Sequence, residues 1–433
     1  MDKIVVKGGQ PLNGTVHISG AKNAALPILI ATLLTDGVHK ISNVPNLADI
    51  SSTLSLLGRI GCPSLINGDG QSAVQEVTID ATNIAFCEAP YDLVRKMRAS
   101  VLVLGPLLAR KGYAKVSLPG GCAIGNRPVD QHLKGLEAMG CVFEIKSGYI
   151  EGRVEHLKGA DIYLDMPTVG GTENIMMAAV LADGITTIHN AAREPEIVDL
   201  ANFLRSMGAR IHGDGTSTLT IDGVPALRAS RRPYPIMGDR IEAATYAIAA
   251  VMTRGNVTLT GAPVDDLSFL CNILQQAGAT VEIHNATSMT VSHTGPIQPV
   301  SVVTSPFPGF ATDMQAQWMV LMSMADGTST IAEKIFENRF MHVPELTRLG
   351  ANVSVDGRVA SIQGVDSFHG ATVMATDLRA SASLVMAGLV AEGQTEVLRI
   401  YHLDRGYAKL VEKMQDLGAT IGRFPSGQEV ALS

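Results

Sequence analysis

The feature that most constrains the fold of this chain is a unit that recurs six times along its 433 residues. Each repeat begins with an apolar helix that ends at a glycine and continues through a short β-branched strand. A second helix follows, and Gly-Ala or Gly-Cys then leads into two further strands. Glycine just beyond a helix accepts the left-handed conformation that closes the helix. The glycines after the first helices are Gly37, Gly112, Gly184, Gly255, Gly327 and Gly393, and those after the second helices are Gly61, Gly140, Gly208, Gly278, Gly350 and Gly418.

The third repeat shows the pattern best. Its first helix is predicted at 172–181, its strand at 186–189 and its second helix at 196–207, with a hairpin from 210–212 and 218–221. The period of roughly 70 residues is longer than that of common solenoid repeats. Strands outnumber helices in each repeat, and both parallel and antiparallel pairs are expected. The sequence therefore predicts a mixed α/β fold with helices inside and sheets outside.

Six repeats predict two domains of three repeats each, in keeping with usual domain sizes. The break is expected at Arg231-Arg232-Pro233-Tyr234-Pro235, where two prolines disfavour helix. The strand Ile4-Val5-Val6 precedes the first repeat, and we expect it to complete the second domain. The predicted domains are then 22–233, and 1–21 together with 234–433.

Composition excludes several classes of function. The formal net charge is -7 and 17% of residues are charged, whereas a nucleic-acid-binding protein normally carries a basic patch. No apolar targeting segment opens the chain, and its apolar stretches are shorter than the ~20 residues of a membrane helix. We expect a soluble cytoplasmic protein without a membrane partner. The five cysteines form no C-x-x-C pair, so neither a metal site nor a disulfide framework is indicated.

Functional polar side chains recur at one equivalent position, or address, in four of the six repeats. Each lies fourteen positions before the glycine that ends the first helix, where that helix is predicted to begin. Helix N-termini carry unpaired N–H groups and attract anions. The residues at this address are Asn23, Arg98, Gly170, Ile241, Asp313 and Arg379, with Lys22 and Arg240 adjacent; Arg339 and Arg405 each follow their repeat's glycine by twelve positions. If the helices run the same way, these residues meet in one cleft, which predicts a ligand with several negative charges. The cations expected to ring it are Lys22, Arg98, Arg127, Arg339, Arg379 and Arg405.

One loop, Leu118–Arg127, places Cys122 among three glycines and next to a guanidinium. A neighbouring cation stabilises a thiolate and makes such a cysteine reactive. The loop is therefore interpreted as a mobile lid with a reactive cysteine, closing over a bound anion. The alternative, a tight turn around a small buried cysteine, is about as well supported by the loop alone.

Taken together, these motifs resemble the enolpyruvyl transferase family over essentially the full chain. The resemblance implies two inside-out α/β domains, each of three repeated mixed units, with the active site in the interdomain cleft. The motifs that carry it are Ser19-Gly20-Ala21-Lys22-Asn23-Ala24-Ala25-Leu26-Pro27, Pro119-Gly120-Gly121-Cys122, Ala191-Ala192-Arg193-Glu194-Pro195-Glu196, Thr312-Asp313-Met314-Gln315-Ala316-Gln317, Phe336-Glu337-Asn338-Arg339-Phe340-Met341-His342 and Ala375-Thr376-Asp377-Leu378-Arg379-Ala380-Ser381.

The resemblance also implies a reaction and its small-molecule partners. The enolpyruvyl group of phosphoenolpyruvate would pass to the 3-hydroxyl of UDP-N-acetylglucosamine with release of phosphate, as the first step of peptidoglycan synthesis. Cys122 would protonate the methylene carbon, and Asp313 would take the proton of the hydroxyl or orient it. No metal or organic cofactor is implied.

The binding roles that the resemblance implies fall into two groups. For phosphoenolpyruvate they are Lys22, Arg127 and Arg405 around the phosphate, Arg339 and Arg379 around the carboxylate, and Asn23. For the nucleotide-sugar they are Arg98, Arg127, Pro128, Val129, Asp130, Gln131, Thr168, Val169, Gly170, Asp313 and Ile335. Lys22 and Arg405 are also implied to act in catalysis. Met166 stands where the family often has lysine.

Two other functions compete with this one. 5-Enolpyruvylshikimate-3-phosphate synthase shares the fold and the donor but uses no loop cysteine, so Cys122 counts against it. A non-catalytic repeat protein that binds nucleotide-sugars belongs to another class. The concentration of charged residues at helix starts counts against that reading, because a scaffold would scatter them.

Overall fold

The computed structural model describes residues 2–68, 70, 72–95, 97–118 and 129–432. By their contacts these residues group into two compact units. The first unit comprises 20–118 and 129–237, and the second comprises 2–19 and 238–432. The predicted boundaries at 21/22 and 233/234, and the predicted cleft, stay predictions.

The helices of the described residues follow the repeats. Five short 3₁₀ helices accompany them, at Thr32–Leu34, Arg98–Val103, Val264–Leu267, Thr312–Met314 and Ile400–Arg405. The α-helices are α1 (Lys22–Ala31), α2 (Ala48–Ile60), α3 (Tyr91–Val94), α4 (Leu104–Lys111), α5 (Asp130–Ala138), α6 (Val169–Ala179), α7 (Pro195–Ser206), α8 (Arg240–Met252), α9 (Ser268–Gln276), α10 (Gln315–Met322), α11 (Val343–Arg348), α12 (Leu378–Val390) and α13 (Leu410–Asp416).

The strands are short and evenly distributed. They are β1 (Asp2–Lys7), β2 (Asn13–His17), β3 (Val38–Pro45), β4 (Ser64–Asn67), β5 (Val74–Asp80), β6 (Glu88–Ala89), β7 (Tyr113–Ser117), β8 (Val142–Lys146), β9 (Tyr149–Arg153), β10 (Asp161–Tyr163), β11 (Ile185–His189), β12 (Arg210–His212), β13 (Thr218–Asp222), β14 (Tyr234–Pro235), β15 (Asn256–Thr260), β16 (Thr280–Asn285), β17 (Ser288–Ser292), β18 (Val302–Val303), β19 (Thr328–Ala332), β20 (Asn352–Asp356), β21 (Val359–Gln363), β22 (Phe368–His369), β23 (Thr372–Met374), β24 (Ala391–Glu392), β25 (Gln394–Leu398) and β26 (Thr420–Pro425).

Six four-stranded sheets share one topology, one for each repeat. A parallel edge strand pairs with the strand after the first helix, and the two strands after the second helix extend the sheet antiparallel. In this arrangement the sheets are β14-β3-β5-β4, β6-β7-β9-β8, β10-β11-β13-β12, β2-β15-β17-β16, β18-β19-β21-β20 and β23-β25-β1-β26. The predicted mixture of parallel and antiparallel pairs is therefore confirmed.

Three of these sheets include a strand that is distant in sequence, and one of these strands is β2, which pairs with β15. β1 lies between β25 and β26 in the last sheet, with Ile4 opposite both Val397 and Arg423. The prediction that this strand completes the second half of the chain is confirmed. Tyr234 and Pro235 pair in parallel with Ile41 and Ser42 of β3. The predicted linker therefore contributes an edge strand, a position where proline is tolerated because its missing N–H faces away from the ladder.

The repeat glycines have equivalent backbone roles. All six glycines that follow the second helices have positive φ, between 96° at Gly418 and 110° at Gly61. The carbonyls of the other six glycines each accept an N–H from the residue that follows the third strand in the sheet orders given above. These donors, in repeat order, are Ala81, Val154, Gly223, His293, Gly364 and Gly8, at 2.9 to 3.3 Å.

The first helices of the repeats form the interior. In the second unit α8, α10 and α12 pack against one another, and every residue of α8 and α10 is buried. In the first unit α4 packs on α6, and nine of the ten residues of α1 are buried. The sheets cover these helices with one face and expose the other, as the alternating burial of β19 shows. Among the described residues no helix is long and apolar enough to cross a membrane.

The glycine geometry generates a paired stability prediction. A Cβ at Gly364 would lie 1.7 Å from the carbonyl oxygen of Ala325, whereas a Cβ at Gly58 in α2 would meet nothing within 4 Å. We expect Gly364→Ala to destabilise the protein by about 1–3 kcal/mol or more, because backbone must shift. Gly58→Ala should stabilise it by roughly 0.5–1 kcal/mol through helix propensity. Denaturant unfolding of both variants tests this, and equal midpoints would contradict it.

Candidate active site

The residues predicted at helix starts lie there in the structure. Lys22 and Arg240 are the first residues of α1 and α8, and Gly170 and Arg379 are the second residues of α6 and α12. Arg98 differs, since it begins the 3₁₀ helix that leads into α4. Asp313 likewise lies in a 3₁₀ turn before α10.

In the second unit, Asp313 lies between two buried arginines. Its Oδ1 accepts a hydrogen bond from Arg339 Nη2 at 2.8 Å, and its Oδ2 accepts one from Arg379 Nε at 3.2 Å. The side chains of Arg339 and Arg379 are 6% and 1% exposed, while that of Asp313 is 25% exposed. The structure thus brings together three predicted site residues, with the carboxylate on the more accessible side.

Arg379 is held by more than the ion pair. Its Nη1 approaches the carbonyl of Gly406 at 3.5 Å, and its guanidinium lies 5.2 Å from the ring centroid of Tyr407. Its Nη2 is buried and, within the described part of the chain, has no hydrogen-bond partner. A buried unsatisfied guanidinium N–H is costly, so this atom is poised to donate to an anionic ligand.

The floor below Arg379 is a hydrogen-bond network. Gln317 Nε2 donates to the Thr245 hydroxyl at 3.2 Å, to the Tyr407 hydroxyl at 3.0 Å and to the Asp313 carbonyl at 3.1 Å. Thr245 and Tyr407 are themselves 2.9 Å apart through their hydroxyls. These contacts fix the ring on which the arginine lies.

Sequence reasoning missed Glu333, which follows β19 and is 1% exposed. Its carboxylate accepts hydrogen bonds from two threonine hydroxyls and from two backbone N–H groups, and Thr312 in turn accepts one from Arg339 Nη1 at 2.8 Å. The predicted site residue Ile335 is one of the backbone donors, at 2.8 Å. No sequence motif marks this residue. Its burial could not be expected either, because glutamate is normally a surface residue.

One further predicted site residue, Arg405, lies in the second unit, as does the capping residue Asp377. Arg405 ends the 3₁₀ helix Ile400–Arg405 and is partly exposed. Asp377 caps α12 by accepting the N–H groups of Arg379 and Ala380 at 2.8 and 3.0 Å. This cap sets the start of the helix that carries Arg379.

In the first unit, Lys22 is buried and its Nζ lies 3.2 Å from Oδ2 of Asp49. Asn23 beside it is partly exposed. The pairing allows a lysine to be buried at a helix N-terminus, where the macrodipole disfavours a cation. An anion bound there would be attracted by both the lysine and the helix end.

Most of the first-unit residues predicted to bind the nucleotide-sugar lie in or beside two helices, α5 and α6. Gln131 in α5 is buried, and its amide exchanges two hydrogen bonds with Asp165, at 2.8 and 2.9 Å. Thr168 caps α6 by accepting the N–H of Gly171 at 3.3 Å. Val169 and Gly170 form the first turn of that helix, and Val129 and Asp130 form the start of α5. Val129 and Gly170 are partly exposed, and Asp130 is exposed.

His132 and Asn174 join these helices to the segment that begins at Arg98. Asn174 is fully buried, donates to the Val101 carbonyl at 3.2 Å and accepts the N–H of Gly105 at 2.7 Å. Its Nδ2 lies 3.1 Å from Nδ1 of His132, which therefore acts as the acceptor. Burial, helped by the charge of Arg98, lowers the pKa of His132 to about 4. The imidazole is thus neutral at physiological pH.

Cys122, Arg127 and Pro128 lie outside the described residues. The other four cysteines are described, and burial raises the pKa of each thiol: to about 11 for Cys62, to about 12 for Cys141, and upwards for Cys87 and Cys271. Those four thiols are poor nucleophiles at neutral pH. Among the described residues, no group of three His, Cys, Asp or Glu side chains is placed to hold a metal ion.

The chain matches known sequences over its whole length. The family model of EPSP synthase (3-phosphoshikimate 1-carboxyvinyltransferase) matches residues 6–414. A UDP-N-acetylglucosamine 1-carboxyvinyltransferase from Nitratidesulfovibrio vulgaris (strain DSM 19637 / Miyazaki F) is 53% identical over 98% of this chain and 100% of its own. Proteins of the same name are 55% identical in Desulfatibacillum aliphaticivorans, over 98% and 100% of the two chains, and 54% identical in Sphingopyxis alaskensis (strain DSM 13593 / LMG 18877 / RB2256), over 99% and 100%.

Solved structures give the same fold. The enolpyruvyl transferase NikO from Streptomyces tendae superposes with a TM-score of 0.87 at 27% identity, over 98% of each chain. EPSP synthase from Acinetobacter baumannii superposes with a TM-score of 0.75 at 19% identity, over 98% of this chain and 100% of its own. The second likeness bears on the fold alone. The predicted inside-out α/β architecture agrees with both.

The buried imidazole of His132 generates a pH prediction. Its folded-state pKa of about 4 lies below the ordinary 6.5, so the unfolded chain binds a proton that the folded chain does not as pH falls through this window. We expect His132→Gln to gain stability relative to wild type between pH 6.5 and 4, by at most ~1.4 kcal/mol per pH unit, with no pH-dependent difference above about pH 7.5.

Denaturant unfolding of both proteins across this range measures the difference. His39→Gln is the matched comparison outside the site, since burial also lowers the pKa of His39 to about 4. Parallel stability curves for wild type and His132→Gln at every pH would show that the imidazole charges normally in the folded protein.

Proposed function

Because the chain belongs to the EPSP synthase family of enolpyruvyl transferases, we propose that it transfers the enolpyruvyl group of phosphoenolpyruvate to UDP-N-acetylglucosamine. The acceptor is the 3-hydroxyl of the sugar, and phosphate is released. The observation that carries this assignment is the sequence identity to relatives named for that reaction. It is 53–55% and extends over nearly the full length of both chains. The EPSP synthase of solved structure is far more distant, at 19% identity.

The reaction consists of an addition followed by an elimination. A proton adds to the methylene carbon of phosphoenolpyruvate, and positive charge develops at the adjacent carbon. The sugar oxygen bonds to that carbon while its own proton leaves to a base. Loss of phosphate, together with a proton from the new methyl group, then restores the double bond and gives the enolpyruvyl ether. A general acid, a general base and several cations are the groups that this sequence requires.

We assign the proton donor to Cys122. A thiol supplies the proton to the methylene carbon and can also bond covalently to the adjacent carbon. Arg127, five residues later, would contact the phosphate together with Lys22 and Arg405, with Asn23 beside them. The raised pKa values of the four described thiols support this assignment indirectly, since burial makes those thiols inert.

We assign the base to Asp313. Its carboxylate is partly exposed and is oriented by Arg339 and Arg379, which would also bind the carboxylate of phosphoenolpyruvate. A substrate carboxylate that takes over guanidinium N–H groups would weaken their bonds to Asp313 and increase its ability to accept the hydroxyl proton. The same residue would then stabilise the positive charge at the reacting carbon. Orientation by such fixed arginines can contribute about 7–11 kcal/mol to lowering the barrier.

The nucleotide-sugar would contact the helix starts of the first unit. The 3₁₀ helix that begins at Arg98 is joined through Asn174 of α6 to His132 of α5, so the helix starts that would contact the ligand share one support. A Cβ at Gly170 would lie 3.2 Å from the His132 ring, so the absence of a side chain keeps this helix end accessible. Met166 is 63% exposed, and it would leave one phosphate contact unmade that a lysine would supply. The remaining positions are Arg127, Pro128, Val129, Asp130, Gln131, Thr168, Val169, Asp313 and Ile335.

The biological setting follows from the reaction. The product is the first committed precursor of peptidoglycan, and the enzyme would therefore act in the cytoplasm and serve cell-wall synthesis, cell shape and division. The chain would be a target of the epoxide fosfomycin, which inhibits this family.

Phosphate release from phosphoenolpyruvate tests the function directly. We expect phosphate to appear when UDP-N-acetylglucosamine is added and not when shikimate 3-phosphate is added. Release with shikimate 3-phosphate instead would favour the alternative synthase. Binding of the nucleotide-sugar without phosphate release would favour the non-catalytic alternative.

Replacing Cys122 tests the acid. Cys122→Ala should lower kcat by about 10²–10⁴-fold, the usual contribution of acid catalysis, while nucleotide-sugar affinity stays close to wild type. Fosfomycin should add one equivalent of mass to wild type and none to the variant, and peptide mapping should place the adduct at Cys122. Cys62→Ala is the matched control and should keep both activity and adduct. Alkylation elsewhere, or a variant that retains more than about a tenth of kcat, would contradict the role.

Replacing Asp313 with asparagine tests the base. The amide keeps the size of the side chain but cannot take up the hydroxyl proton, so kcat should fall far more than KM rises. Steady-state kinetics with each substrate measure the two effects, and Asp356→Asn, an exposed change in the β20–β21 hairpin, is the control. A change in KM alone would mean that Asp313 only binds.

A further inference from the structure

We propose that Glu333 is a positioning residue that acts through Thr312 to hold Arg339 in its working orientation, and that the same carboxylate fixes the backbone at Ile335. This inference rests on the proposed function, which assigns Arg339 to the donor carboxylate and Ile335 to the sugar. The juxtaposition that carries it is a buried carboxylate with four hydrogen-bond donors, one of which bridges to the arginine.

The two oxygens of Glu333 have different partners. Oε2 accepts from the Thr312 hydroxyl at 2.8 Å. Oε1 accepts from the Thr304 hydroxyl at 2.8 Å and from the backbone N–H groups of Ile335 and Phe336 at 2.8 and 3.1 Å. Every neighbour on this list is a donor, so the site requires a group that only accepts, which an ionised carboxylate is.

The direction of each threonine hydrogen bond is fixed by a second contact. Thr304 Oγ1 accepts the backbone N–H of Lys334 at 2.8 Å, and Thr312 Oγ1 accepts from Arg339 Nη1 at 2.8 Å. A guanidinium has no lone pair to offer, so the Thr312 proton must point at Glu333. The carboxylate therefore orients the hydroxyl lone pair toward Arg339.

The two terminal nitrogens of the Arg339 guanidinium have different partners. Nη1 is bonded to Thr312, while Nη2 is bonded to Asp313 at 2.8 Å. The guanidinium also lies 5.2 Å from the ring centroid of Phe336, whose backbone N–H donates to Oε1 of Glu333. When a substrate carboxylate replaces Asp313 at Nη2, the contact at Nη1 keeps the guanidinium from following Asp313. Glu333 thus secures the arginine while its other end exchanges partners.

The amide variant Glu333→Gln separates the contact with Thr312 from the contacts with the backbone at Ile335 and Phe336. The amide oxygen can keep the partners of Oε1, but its NH₂ would face the Thr312 hydroxyl as a second donor. The hydroxyl proton would then have no acceptor, so the threonine side chain should rotate toward another acceptor and give up its bond to Arg339. Thr312→Val removes the same bridge from the other side, and Thr312→Ser keeps the hydroxyl.

The experiment measures phosphate release with both substrates for these variants and for Glu345→Gln. Glu345 is the matched control, because its carboxylate also accepts a backbone N–H, that of Met374 at 2.9 Å. We expect Glu333→Gln and Thr312→Val each to lower kcat/KM for phosphoenolpyruvate by about 10–100-fold, mainly through KM, as loss of a charge-assisted contact should. The kcat/KM of Thr312→Ser and of Glu345→Gln should stay within about threefold of wild type. The kcat/KM of the double variant Glu333→Gln/Thr312→Val should be no lower than that of the less active single variant.

Two results would overturn the proposal. One is a Glu333→Gln protein that is less heat-stable but keeps its kcat/KM for phosphoenolpyruvate, which would mean a structural role alone. The other is additive losses in the double variant, which would mean that Glu333 and Thr312 act independently. If Glu333→Gln does not fold, the contrast between Thr312→Val and Thr312→Ser decides, and equal activity of those two would refute the bridge.

Failure of the proposed function would look different. If the wild-type protein released no phosphate, the proposed reaction would be refuted. The positioning role of Glu333 would then have to be tested by a measurement without ligand. A crystal structure of Glu333→Gln supplies it. We expect Arg339 Nη1 to have left Thr312, and a retained contact near 2.8 Å would overturn the role whatever the reaction.

Discussion

The burial of one apolar helix in each repeat, complete in α8 and α10, is the constraint on which the rest of the structure depends. A helix such as α8, with every residue buried, has no side open to water, and its charged side chains, Arg240 and Glu242, lie in the first turn. The first N–H groups there need partners, and Asp239 and Asp377 supply them for α8 and α12. The fold therefore concentrates charged and capping residues at the helix starts before any ligand is considered.

A charge at such a place is stable only when it is paired. Arg379 is 1% exposed, and it is offset by Asp313, by the Gly406 carbonyl and by the ring of Tyr407. Removing one partner from a buried ion pair usually costs more stability than the pair itself contributes. The same contacts fix the guanidinium before substrate arrives, which is the condition for electrostatic catalysis without reorganisation. Stability and preorganisation thus depend on the same hydrogen bonds here.

The sequence predicted the parts of this structure that repeat. Glycines with positive φ close each second helix, and the equivalent positions recur in all six repeats, so the sheets and buried helices could be inferred from spacing. The 3₁₀ turn at Arg98 could not be inferred, because it depends on Asn174, distant in sequence, which accepts the Gly105 N–H and donates to Val101. Glu333 was also missed: its role depends on two threonines, one 29 residues and the other 21 residues away. The positions of site residues at helix starts were accessible to sequence reasoning, whereas their partners were not.

The charge of the described cluster explains how an acidic chain can be suited to an anion. Around Arg339 and Arg379 the two carboxylates Asp313 and Glu333 balance the two guanidinium groups. Asp313 is partly exposed and Glu333 is buried, so in the proposed reaction an incoming carboxylate would displace only the first from the guanidinium groups. The exchange would replace one carboxylate by another at these groups, which limits the desolvation cost of binding. Glu333 would remain in place, so the arginines would keep one permanent counter-charge while the substrate supplied the other.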